Sequence, residues 1–125
     1  MPYLIVFFGA GIGGALRHGA NLAGTRVFGA FPGATMAVNI LGSFAMGLLA
    51  GWFLARPGAS QHWRLFLTTG LLGGFTTFSA FSLDTALLIE RHAYALAAAY
   101  VTGSVVASIA ALFLGLAMAR GGALS

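Results

Sequence analysis

Residues 70–82 read Gly70-Leu-Leu-Gly73-Gly74-Phe75-Thr76-Thr77-Phe78-Ser79-Ala80-Phe81-Ser82, inside a stretch, 65–83, that carries no charge. The stretch is long enough to enter a bilayer. Yet glycines, hydroxyls and aromatic rings stand where a plain spanning helix would carry Leu, Ile and Val. In hydrocarbon every backbone polar group needs an internal partner, so irregular backbone persists only where protein buries it or a wet cavity meets it. A spanning helix interrupted in this way commonly binds or passes a solute. The third hydrophobic segment is therefore expected to be a helix broken mid-membrane.

Composition places the rest of the chain around that segment. Of 125 residues 59% are hydrophobic and 6% charged, and the mean hydropathy is +0.94. Soluble domains carry about 25% charged residues, so this chain cannot cover a water-facing surface. Uncharged runs cover 1–16, 27–55, 65–83 and 93–119. A span needs roughly 20 largely apolar residues, which gives one all-α integral membrane domain, 1–125, with four transmembrane helices near 3–23, 33–54, 65–90 and 94–118. No basic region precedes the first apolar run, so it reads as a retained helix rather than a cleaved signal. Cysteine is absent, which excludes disulfides, thiolate metal sites and cysteine nucleophiles.

The formal charge of +4 comes from six arginines against Asp84 and Glu90. The arginines stand singly at span ends, as headgroup anchors do, and do not form a nucleic-acid surface. With four spans, Arg56, Arg64 and Arg120 fall on one side and Arg26 and Arg91 on the other, with Arg17 close to the latter. So even a distribution sets no orientation. It is compatible with insertion in both directions and assembly as an antiparallel pair; a monomer of fixed orientation is the alternative.

Gly9-Ala-Gly11-Ile-Gly13-Gly14 matches the dinucleotide fingerprint G-x-G-x-x-G. That motif requires an acidic residue about 20 positions later and a strand–helix alternation. The first acid is Asp84, and no alternation follows. Gly9 and Gly13 read instead as a small-xxx-small helix-packing face, as do Gly47/Gly51 and Gly70/Gly74.

Two polar stripes recur at helical spacing. Thr35, Asn39 and Ser43 share one face of the second span, and Tyr100, Ser104 and Ser108 one face of the fourth. They suit facing walls of a narrow polar path. Alternatively, the hydroxyls bond their own helices or join neighbouring ones, each worth about 1 kcal/mol or less. Asn39 is the exception, since an unpaired amide in hydrocarbon is costly. Phe78 and Phe81, at i and i+3, are ringed by Thr76, Thr77, Ser79 and Ser82. A phenyl edge is electropositive, so rings presented edge-on can meet a dehydrated anion without the tight hold of an arginine. Conduction requires such weak, multiple sites.

Titratable groups are few. Asp84 and Glu90 have no third carboxylate beside them, and His18, His62 and His92 lie near span ends. Asp84 is placed to pair with an arginine such as Arg17, or to stand with it in a vestibule. No constellation for nucleophilic or acid–base catalysis is present, and no enzyme is expected.

Gly73-Gly74-Phe75-Thr76-Thr77-Phe78-Ser79-Ala80-Phe81 resembles the third-helix signature of the Fluc/CrcB fluoride channels. Gly33-Ala-Thr35, Val38-Asn39-Ile-Leu-Gly42-Ser43-Phe44 and Gly13-Gly14-Ala-Leu-Arg17 are similar to that family's second- and first-helix motifs. Ala80 departs from the family, where a hydroxyl residue is common, and Ala34 is an insertion between a glycine and a threonine that are often adjacent. The resemblance implies a passive fluoride-selective channel in the inner (plasma) membrane that releases cytoplasmic fluoride. It implies a dual-topology antiparallel homodimer with two pores. Asn39, Thr77, Phe78, Phe81, Tyr100, Ser104 and Ser108 would line the anion pathway. One structural Na+ would sit at the dimer interface on the backbone carbonyls of Gly73 and Thr76 from both subunits; unwound carbonyls are hard oxygen donors suited to such a cation. The expected partners are fluoride, lipid and a second copy of the chain. A small proton-coupled multidrug exporter of similar size is the alternative, but it requires a membrane-embedded carboxylate that the first helix lacks.

Overall fold

The computed structural model describes residues 1–29 and 31–121, so residue 30 and residues 122–125 of the expected domain lie outside it. Among the described residues the chain is helical with no strand. α1 is Pro2–Phe28, α2 Gly33–Leu54 and α3 Gln61–Arg64; a π-helical segment, Leu65–Leu72, leads into α4, Gly73–Phe75. α5 is Ser79–Glu90 and α6 Tyr94–Arg120. Among the described residues, three stretches are long and apolar enough to cross a membrane: Gly33–Leu54, Gln61–Glu90 and Tyr94–Arg120. The second of these counts as one stretch although residues 76–78 interrupt its winding. α1 is 27 residues long but less apolar.

Local chemistry explains where the helices stop. Pro2 opens α1, where its missing N–H costs nothing. α1 continues past residue 23 to Phe28 and ends at Gly29, whose φ of 61° favours glycine. α2 ends at Leu54, ahead of Arg56-Pro57-Gly58. Ser60 caps α3 by accepting the Trp63 N–H. α5 turns into α6 through His92, at a φ of 60°, with Ala93 N–H bonded to the Leu88 carbonyl at 2.9 Å. That bond closes the end of the helix in the manner of a Schellman motif.

Glycines set how the helices meet. α1 lies on the π-helical segment and α4, while α2 runs along α6. A Cβ on Gly13 would overlap the Leu71 carbonyl oxygen and the Phe75 nitrogen; one on Gly47 would overlap the Leu112 carbonyl oxygen. Backbones this close exclude any side chain. Gly9 to Gly14 therefore lie within a continuous helix, and Gly9 and Gly13 form its buried contact face. The dinucleotide reading needs a strand-to-helix turn there and has none.

Winding changes twice in the third stretch. From residue 65 the turns are wide, and Gly73 N–H reaches back to the Thr68 carbonyl, five residues earlier. After Phe75, Thr76 adopts an extended conformation with ψ 157°, and α-helix resumes at Ser79.

Candidate functional site

The interruption at residues 76–78 is held by side chains from outside its own helix. Thr77 N–H donates to Asn39 Oδ1 at 2.8 Å, and Asn39 Nδ2 donates to the Thr77 carbonyl at 3.0 Å. Ala80 N–H donates to Thr77 Oγ1 at 3.2 Å. In an unbroken α-helix those two amides would serve the carbonyls of Gly73 and Thr76, four residues back. Both carbonyls are thereby released from the helical ladder. From α1, Arg17 Nε donates to the Gly74 carbonyl at 3.3 Å.

Beside the interruption lies a groove of about 390 Å³. Its polar lining comes from Asn39 and Ser43 on α2, Thr76 and Thr77, and Ser104 and Ser108 on α6. Phe78 and Phe81 contribute rings, and Met46, Ile109 and Leu112 form an apolar portion that the spacing arguments did not single out. Those three are ordinary lipid-span residues; only the rotation of α2 and α6 about their axes turns them inward. The two polar stripes therefore face each other through Asn39, Ser43, Ser104 and Ser108. Thr35, also on α2, is buried.

Three threonine hydroxyls are satisfied within their own helices, and two serine hydroxyls are not satisfied at all. Thr68 Oγ1 donates to the Arg64 carbonyl at 2.6 Å, Thr76 Oγ1 to that of Leu72 at 3.0 Å and Thr85 Oγ1 to that of Phe81 at 2.9 Å. These satisfy their own helices. Ser104 Oγ and Ser108 Oγ are buried without a hydrogen bond to any protein group. An orphaned buried hydroxyl costs about 1–3 kcal/mol, so these two, on residues that line one groove, call for a partner from outside the chain, water or solute.

The rings form a chain. Phe78 is 77% exposed and its centroid lies 5.6 Å from that of Phe81, which lies 5.2 Å from that of Tyr100. Tyr100 is 0% exposed and meets Phe31 edge-on at 5.8 Å. Its hydroxyl donates to Asp84 Oδ2 at 3.1 Å. The pairing of Asp84 with Arg17 does not occur: Asp84 takes the Tyr100 hydroxyl and Arg17 the Gly74 carbonyl. The reason is reach, because α5 packs on α6, whereas α1 lies on α4 and the π-helical segment. Nothing in the sequence marks that choice, since the residues lie on different helices.

Residues 4–116 match the family described as CrcB-like protein, Camphor Resistance (CrcB). The chain belongs to the CrcB-like family. Among similar proteins, one from Methylobacterium nodulans named "Fluoride-specific ion channel FluC" is 64% identical over 117 residues, 94% of each chain. Proteins of the same name from Methylobacterium sp. strain 4-46 and Rhodopseudomonas palustris strain BisB5 are 60% and 58% identical. The latter match covers 96% of this chain and 98% of its relative. The CrcB-like match thus takes in the interruption, both polar stripes and the paired rings together.

Proposed function

We propose that this protein is a passive, fluoride-selective channel of the plasma membrane that lets cytoplasmic fluoride leave down its electrochemical gradient. The observation that carries this reading is the pair of orphaned hydroxyls, Ser104 and Ser108, in one groove with the rings of Phe78 and Phe81. Hydroxyl donors and electropositive ring edges hold a small dehydrated anion weakly. Asn39 adds a donor, because only one of its two amide hydrogens is needed by Thr77. Thr77 holds its place through its backbone.

In this reading all four helical stretches span the bilayer, α1 included, and the interruption lies at membrane depth. Two copies associate antiparallel, giving two pores, and the exposed Phe78 ring is covered by the other copy. The even arginine distribution supports both orientations. The carbonyls of Gly73 and Thr76, freed from helical bonding by Asn39 and Thr77, fit a structural Na+ at the junction of the copies. The ion supplies a fixed positive charge that ties together backbone otherwise unpaired in hydrocarbon.

The test is fluoride efflux from liposomes containing the purified protein, with potassium permeability provided and a fluoride electrode as the readout. Fluoride is expected to leave far faster than chloride. Trapped fluoride, or chloride at an equal rate, overturns the reading. Protein purified and assayed with N-methylglucamine in place of sodium is expected to lose flux and regain it when sodium returns; unchanged flux removes the sodium assignment alone.

A further inference from the structure

The groove carries its hydroxyls and amide toward one end only. α2 and α6 run in the same direction: Met36 lies beside Gly103, Gly47 beside Leu112 and Gly51 beside Ala119. Position along one helix therefore matches position along the other. On α2 the lining passes from Asn39 through Ser43 to Met46, and on α6 from Ser104 through Ser108 to Ile109 and Leu112. At 1.5 Å per residue, Met46 stands about 4.5 Å beyond Ser43 and Leu112 about 6 Å beyond Ser108. The third stretch meets α2 at Gly42 through Thr76, one turn before Met46. Each wall thus passes from polar to apolar at the same level.

We propose that Met46 sets the throughput of the anion path: with Ile109 and Leu112 it forms an apolar collar beyond the last hydroxyls. This inference rests on the channel reading. An anion out of water keeps a low energy only while donors replace its hydration. Asn39, Ser104 and Ser108 offer donors, whereas a thioether and two hydrocarbon side chains offer none. Apolar constrictions of this kind also shed water, which raises the barrier at that level. Of the three residues, Met46 is the adjustable one. Ile109 is β-branched and stiff at χ1, and the Leu112 backbone is held against Gly47. Met is unbranched, with three rotatable bonds, so its side chain can swing aside as an ion passes. A collar without donors opposes every small anion, so it governs rate and leaves the choice among anions to the donors before it.

The test compares Met46→Gln and Met46→Leu in the liposome assay, each checked for the same elution volume as the parent. Gln keeps the length and flexibility of Met and adds an amide donor. Fluoride efflux is expected to rise about tenfold, the scale of one hydrogen bond to a charged group, with chloride efflux rising less. Leu keeps the collar apolar and adds a branch, so its efflux is expected to equal the parent's or fall below it. A gain of flux separates this role from packing, because a misfolded variant loses flux. If Met46→Gln fails to assemble, Leu112→Gln puts a donor on the opposite wall of the collar, and the same rise is expected. Parental or lower fluoride flux in an assembled Gln variant, chloride rising as much as fluoride, or an equal rise with Leu overturns the inference while leaving the channel reading intact. A parent protein that passes no fluoride overturns both.

Discussion

The side-chain amide of Asn39 binds both backbone polar groups of Thr77, accepting from its N–H at 2.8 Å and donating to its carbonyl at 3.0 Å. A residue on α2 thereby supplies what the third helical stretch gives up when its winding stops. Without such a clamp the interruption would leave part-buried backbone groups unpaired.

Replacing Asn39 with Leu is expected to lower stability by about 1–3 kcal/mol, the scale of orphaning two part-buried backbone groups. Thermal unfolding in detergent reads the effect, and fluoride flux is expected to fall with it. Asn39→Asp keeps the acceptor for Thr77 N–H and loses the donor, so its stability is expected to be intermediate. A Leu variant with parental melting and flux would show that the clamp is incidental.

Ser104 and Ser108 invert the usual link between stability and function. Their Oγ atoms have no protein partner, so Ala at both positions is expected to leave stability unchanged or raise it, by up to about 1 kcal/mol per site, as read by thermal unfolding. Fluoride flux is expected to fall at least severalfold in the same variant. Destabilisation without loss of flux would show that the hydroxyls serve the fold.

The two rings are expected to separate by readout. Phe78→Ile and Phe81→Ile should both greatly reduce flux while assembly persists. Phe81 presses on Tyr100 within the chain, so its replacement is expected to cost about 1–3 kcal/mol in stability. Phe78 is largely exposed, so the effect of its loss on stability is expected only in the association of copies, measured by analytical ultracentrifugation. Parental flux in both variants would reduce the rings to packing.

The glycines of α1 offer a test of packing against the fingerprint reading. Gly13→Val would force a side chain into the Leu71 carbonyl and the Phe75 nitrogen, backbone that has no room to yield. Its expected outcome is loss of folded protein on size-exclusion chromatography, from overpacking worth about 3 kcal/mol or more. A Cβ on Gly11 or Gly14 meets nothing within 4 Å, so Ala at either position is expected to be tolerated. Equal tolerance at all three would remove Gly13 from the helix contact.

Much of the site is written as spacing. Asn39 and Ser43 fall on one helical face, as do Ser104 and Ser108, because an i, i+4 repeat fixes a face whatever surrounds it. The rings at 78 and 81, the lack of charge and the membrane character need only the order of residues. The winding of residues 65–72 is harder to read, since nothing in Leu-Phe-Leu-Thr-Thr-Gly-Leu-Leu distinguishes a π-helix from an α-helix.

Partners across helices are another matter. Asp84 bonds Tyr100 and leaves Arg17 to Gly74; Asn39 reaches Thr77; Met46 and Leu112 turn toward the groove. A repeat specifies which side chains share a face and carries no information on how that face is rotated toward a neighbour. Here the rotation is set where glycine backbones touch, Gly13 on the third stretch and Gly47 on α6, and those contacts exist only once the helices have packed. Residue order makes the chain apolar, helical and membrane-embedded, and it sets which polar groups share a face. Which of those groups meet follows from packing, because contacts between helices depend on their rotation and approach.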